Sequence, residues 1–107
     1  MANALTDVQA TFLSLDSQYP LLRNGGCQTQ AQMDALADQY STAELNYQTA
    51  LNKTLSDDDP QVATLSTQLI AINKQVAQAT TQMGDIAKVI GDITTAVGLG
   101  TQMLKMV

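Results

Sequence analysis

Residues 62–107 read VATLSTQLIAINKQVAQATTQMGDIAKVIGDITTAVGLGTQMLKMV. Apolar or small residues recur at alternating intervals of three and four: Val62, Leu65, Leu69, Ile72, Val76, Ala79, Met83, Ile86, Ile90, Ile93, Val97, Gly100, Leu104 and Val107. That is the a/d spacing of a heptad, and glycine at 100 is its single poor core residue. The spacing predicts one helix over about 60–107. At 1.5 Å per residue such a helix spans about 70 Å. A compact domain of this size is roughly 35 Å across, so an intact helix makes the molecule elongated. It also leaves a helical face that its own chain cannot cover.

Immediately upstream stands Ser56-Asp57-Asp58-Asp59-Pro60. Asp59 suits an N-cap and Pro60 the first helical position, where a missing N–H costs nothing. Asp57, Asp58, Asp59 and Pro60 therefore form the predicted hairpin turn between this helix and a second one over about 29–56. The second helix opens on Thr29-Gln30-Ala31-Gln32, a capping-box pattern. Its stripe is Met33, Leu36, Tyr40, Ala43, Tyr47 and Ala50, widened by Leu51 and Leu55. A short turn predicts that helices two and three lie side by side. A first helix over about 3–19 carries Leu5, Val8, Phe12, Leu15, Tyr19 and Leu22, with Asn3 as its cap. Pro20 should end it near Gln18 or Tyr19. Residues 20–28 then read as a loop in which Gly25-Gly26 permits positive φ. The expected fold is all-α: one domain over 1–107, an elongated helical hairpin or coiled coil with an additional N-terminal helix.

Charged residues make up 14% of the 107, and 13 threonines and 13 glutamines stand in their place. Little charge must be stripped of water when such a surface packs against another chain. The net charge of −5 is uneven. Residues 1–59 hold eight acids and two bases, and residues 60–107 two acids and three lysines. An acidic chain lacks the basic face that nucleic acid or anionic lipid requires. The first 22 residues carry Asp7 and Asp16 and no basic start before an apolar block, unlike a signal peptide. The expected location is the cytoplasm as synthesised, with export by a leaderless pathway open. The Asn52-Lys53-Thr54 sequon is then a coincidence of sequence.

Catalytic chemistry is poorly supplied. With no histidine and one cysteine, the chain cannot assemble an ordinary zinc or copper site, nor activate a serine through a histidine. The run of aspartates before Pro60 lacks the spaced ligands of a calcium loop, and no phosphate-binding glycine loop occurs. Asp34, Asp38 and Tyr40 read as a solvated face of the second helix. Cys27, after Asn24-Gly25-Gly26, reads as an incidental exposed thiol. No enzyme activity and no cofactor are expected.

Position b of the long heptad holds Gly84, Gly91 and Gly98. Each glycine costs about 1 kcal/mol against alanine inside a helix. Close approach of another helix would offset that cost; the alternative is a frayed, irregular C-terminal helix, especially at Gly98-Leu99-Gly100. The candidate assembly interface is therefore Met83, Gly84, Ile86, Ile90, Gly91, Ile93, Val97, Gly98, Leu104 and Val107. The uncharged run Ile93 to Leu104 has 12 residues, short of the 18 or more of a spanning helix. No stable membrane span is expected, and conditional membrane contact stays open.

The turn Ser56 to Pro60 and the stripe Leu65 to Val107 resemble those of the needle and inner-rod subunits of type III secretion systems. There, a hairpin turns at a proline-containing loop and the C-terminal helix packs in a helical polymer. This chain departs from that pattern in its added N-terminal helix, its tyrosines in helix two and its lack of an aromatic near the C-terminus. It is similar also to the short secreted hairpins of the Trp-x-Gly family, though it has no tryptophan. The first resemblance implies a polymerising, channel-forming subunit whose partner is protein, a copy of itself or a related helical subunit. Two other classes fit the same residues: a coiled-coil adaptor or chaperone binding one partner, and a membrane-active helical toxin component.

Overall fold

Helix ends are written locally, and the clearest is at Asp59. In a computed structural model, which describes residues 4–52 and 59–106, the Asp59 carboxylate accepts from the N–H groups of Gln61 (2.8 Å) and Val62 (3.4 Å). Pro60 occupies the first turn as expected. Asn3, Leu55, Ser56, Asp57, Asp58 and Val107 lie outside the described residues. The second predicted start also holds. Thr29 Oγ1 accepts from the Gln32 N–H (3.1 Å), while Gln32 Oε1 accepts from the N–H of Gln28 (2.7 Å).

Four α-helices result: α1 Ala4–Leu21, α2 Gln30–Leu51, α3 Pro60–Ala77 and α4 Ile86–Leu104. The all-α class expected from the periodicity holds. α1 packs beside α2 and α3, and α4 beside the same two, with α1 and α4 touching across the core. α2 and α3 are thus diagonal to one another. The hairpins are α1–α2 and α3–α4: of the predicted third helix it is the α4 half, not the α3 half next to the turn, that lies beside α2. The reason is burial: each of α1 and α4 is apolar over a wide enough face to need two neighbours and part of a third.

The long C-terminal helix is not continuous. It breaks over Gln78–Asp85, where seven residues form 3-10 turns and Gln82 leaves helical geometry (φ −121°, ψ 23°). α4 folds back along α3, and the molecule measures 42 × 21 × 19 Å with a radius of gyration of 13.5 Å. That is close to the roughly 13 Å of a compact domain, not the extended shape expected of an unbroken helix. The helix runs unbroken past Gly98; the interruption lies upstream, at Gln78–Asp85.

The first helix also differs from its reading. Pro20 lies inside α1, which continues to Leu21 and then widens into a π-turn, Leu22–Gly26, closed by the Cys27 N–H to the Leu22 carbonyl (2.9 Å). Burial of Leu22 holds this segment down against the local preference of proline. Neither Gly25 nor Gly26 has positive φ. Gly26 serves close approach instead, since a Cβ there would stand 2.9 Å from Ile86 Cδ1. α2 stops at Leu51, whose exposed side chain does not widen the stripe.

Candidate assembly surface

The stripe read from residues 62–107 is the core of this chain. Val62, Leu69, Val76, Ala79, Ile86, Ile93, Val97 and Gly100 are buried, and Leu65, Ile72, Met83, Ile90 and Leu104 are partly buried against them. The register passes through the break without a slip. In α4 the buried face is wider than a/d: Val89, Ala96 and Met103 at the neighbouring g position are also buried. The same g position is buried in α1 as Thr11 and Gln18 and in α2 as Asn46. Such a three-position stripe is that of a bundle helix with several neighbours.

The candidate interface residues consequently divide. Ile86, Ile93 and Val97 are buried within the chain, and Met83, Ile90 and Leu104 are half-buried there. The fold-back at Gln78–Asp85 lets α1, α2 and α3 cover the seam that an unbroken helix would offer to another chain. Gly84, Gly91 and Gly98 are exposed, and a Cβ on any of them would meet nothing within 4 Å. The glycine column thus faces solvent, and nothing among the described residues uses its lack of side chains.

Around that column the outer face of α4 is unusually free of polar demands. Ala87, Gly91, Thr94, Thr95, Gly98 and Gln102 are exposed. Thr94 Oγ1 donates to the Ile90 carbonyl (2.8 Å) and Thr95 Oγ1 to the Gly91 carbonyl (3.0 Å). Both hydroxyls therefore spend their proton inside the helix, which turns their methyl groups into the contact surface. Of the charges on this face, Lys88 and Asp92 form an i,i+4 pair at 2.9 Å, and Lys105 stands exposed at the C-terminal end of the glycine column. A partner laid on this face strips little water from unpaired polar groups.

The polar groups that sequence reading missed lie between the helices. Thr11 Oγ1 donates to Asn73 Oδ1 (2.7 Å), Asn73 Nδ2 to the Asp7 carbonyl (3.0 Å), and Ser66 Oγ to Asp7 Oδ2 (2.6 Å). These bonds tie α1 to α3 in parallel. Asn46 Nδ2 donates to Thr101 Oγ1 (3.1 Å) and ties α2 to α4. Buried polar pairs of this kind fix register, because a slip leaves each of them unpartnered. The available signal was position: Thr11, Gln18 and Asn46 all fall at g, beside the stripe.

All four aromatics meet on the α1–α2 side. Tyr19 stacks on Tyr40 with centroids 4.4 Å apart, and Phe12 lies 5.7 Å from Tyr40 and 5.0 Å from Tyr47. Tyr40 donates its hydroxyl proton to Asp16 Oδ1. That bond stabilises the neutral phenol and, with partial burial and the negative charges of Asp16 and Glu44, pushes its pKa up to about 12. Cys27 is half-buried against the core rather than exposed. Burial pushes its thiol pKa up, against the opposing pull of Arg23, so it is a poor nucleophile at neutral pH. An open groove of about 410 Å³ lies where α3 begins and α4 ends, lined by Pro60, Gln61, Thr64, Leu65, Gln102 and Met106.

Among the described residues, no three acidic or thiol side chains converge as a metal site would require. None of the described helices is long and apolar enough to cross a membrane. Comparison with protein-family models, curated proteins and solved structures returns no match.

Proposed function

We propose that this chain is a non-enzymatic helical subunit that packs against other helical chains, a copy of itself foremost, through the outer face of α4. The observation that carries the reading is that face: exposed glycines, threonines with inward-bonded hydroxyls, and a charge pair neutralised within the helix. Gly91 and Gly98 lie in the interior of α4 and together cost about 2 kcal/mol of helix stability against alanine. Close approach by a second helix offsets such a cost through backbone-level packing. The reading keeps the glycine column of the candidate interface and leaves its apolar seam to the monomer core.

The resemblance to secretion-system hairpin subunits supports placing such packing in an export apparatus. Sedimentation of the wild type and of Gly91→Leu at matched high concentrations tests the assembly step. The expected result is association by the wild type and a monomer for the variant, both fully helical. A wild type that stays monomeric alone, but forms a complex with a single partner through this face, would favour the adaptor reading instead.

A further inference from the structure

The break between α3 and α4 contains no proline and no residue at positive φ, and the heptad runs through it in phase. At the start of the break stands Gln18, from α1, and at its end Asp85 caps α4, its carboxylate accepting from the Lys88 N–H (3.4 Å). In a continuous helix the Thr80 N–H donates to the carbonyl of Val76, four residues earlier. Here Gln18 Nε2 donates to the Val76 carbonyl (2.7 Å) and the Thr80 N–H donates to Gln18 Oε1 (2.9 Å). The side-chain amide is spliced into the ladder at one helical hydrogen bond. Its other N–H donates to the Ser14 carbonyl (3.0 Å), so its donors are both used. On either side of the splice the ladder tightens to i→i−3 bonds, from the Gln78 N–H to the Gln75 carbonyl and from the Thr81 N–H to the Gln78 carbonyl. A side chain inserted between i and i−4 is a recognised cause of helix breaks.

We propose that Gln18 is a latch holding α3 and α4 in the folded-back form, and that its release lets Pro60–Leu104 straighten into one helix and exchange α4 with a second copy of this chain. The straightened helix closes the Thr80–Val76 bond and carries α4 away from its own bundle. The apolar face so exposed already has one complement of known shape, namely α1–α3 of another copy, which re-forms between chains the contacts that α4 makes with α1, α2 and α3. Exchange of an identical element is a low-barrier route to dimers for this reason. This inference does not rest on the outer face of α4, and Gly91→Leu leaves it unaffected.

The test is Gln18→Met, which keeps the length of the side chain and removes the amide. In the folded-back form it leaves the Thr80 N–H without its acceptor and the Val76 carbonyl with only the Gln78 N–H two residues on; in the exchanged dimer Val76 and Thr80 bond each other. The expected result is a fall in the monomer–dimer dissociation constant by about tenfold or more. Nitroxide labels at Gln61→Cys and Gln102→Cys, in a Cys27→Ser background, read the exchange directly. Both positions line the same groove in the folded-back chain and are close together. In a straight helix they stand about 60 Å apart within a chain, while the short distance appears between chains. A folded, monomeric Gln18→Met overturns the proposal, as does a dimer that keeps the short distance within each chain. If Gln18→Met does not fold, the wild type decides: incubation near its melting midpoint at high concentration and cooling should trap exchanged dimers. Gln78→Gly with Gln82→Gly, which penalises the straight helix, should reduce their yield at least severalfold. Absence of dimers from the wild type, or an unchanged yield, overturns the latch.

Discussion

Replacing Gly91 and Gly98 together by alanine should stabilise the monomer and weaken its assembly. Both residues lie inside α4, and an added Cβ meets no atom within 4 Å at either position. No clash subtracts from the intrinsic helix preference of alanine, which is about 1 kcal/mol per site. Seven residues of helix separate the sites by about 10 Å, so the effects should add to about 2 kcal/mol. Part of the gain comes from the unfolded chain, which alanine restricts. For a domain of this size the melting temperature should rise by roughly 8–16 °C. The assay is thermal and urea denaturation followed by far-UV circular dichroism, at concentrations low enough to keep the protein monomeric. Gly26→Ala is the contrasting control: its Cβ would fall 2.9 Å from Ile86 Cδ1, so the end of that side chain must shift and the gain expected at Gly91 and Gly98 should not appear. Sedimentation of the double variant should then show weaker association than the wild type, since two methyl groups hold the helices apart. Unchanged or lowered stability of the double variant would refute the placement of the glycine column in solvent. A gain in stability with undiminished association would refute close approach as its purpose, and the proposed surface with it.

Two further outcomes follow from the cap at α3 and the aromatic cluster. Asp59→Ala removes the acceptor for two N–H groups and should cost about 1 kcal/mol in urea denaturation, whereas Asp59→Asn should cost much less. Ultraviolet titration should show one of the three tyrosines ionising near pH 12, and Asp16→Asn should bring it back toward its ordinary value near 10. A raised pKa means that the neutral phenol is the form the fold favours. Its stabilisation is therefore complete below about pH 10 and is lost as pH rises through about 12.

The sequence by itself determined the all-helical class, the inward faces and the starts of α2 and α3. Periodicity and capping are local properties: a residue seven places along a helix returns to the same face whatever that face meets, and an aspartate before Pro60 reaches N–H groups two and three residues away. Every described member of the stripe from Val62 to Leu104 accordingly lies in or against the core. Which surface meets that stripe was beyond its reach. The break at Gln78–Asp85 depends on the Gln18 amide, 58 and 62 residues away from the groups it holds, and nothing in the local sequence around Val76 and Thr80 demands it. The same holds for the exposed glycine column: position b is defined by the heptad, but its neighbours are set by where the folded-back helix lies. Only the tertiary structure decided that α4 turns its apolar side to its own chain and its small, sparsely charged side outward. Burial against α1 and α2 rewards the fold-back, and a one-dimensional pattern carries no record of that competition.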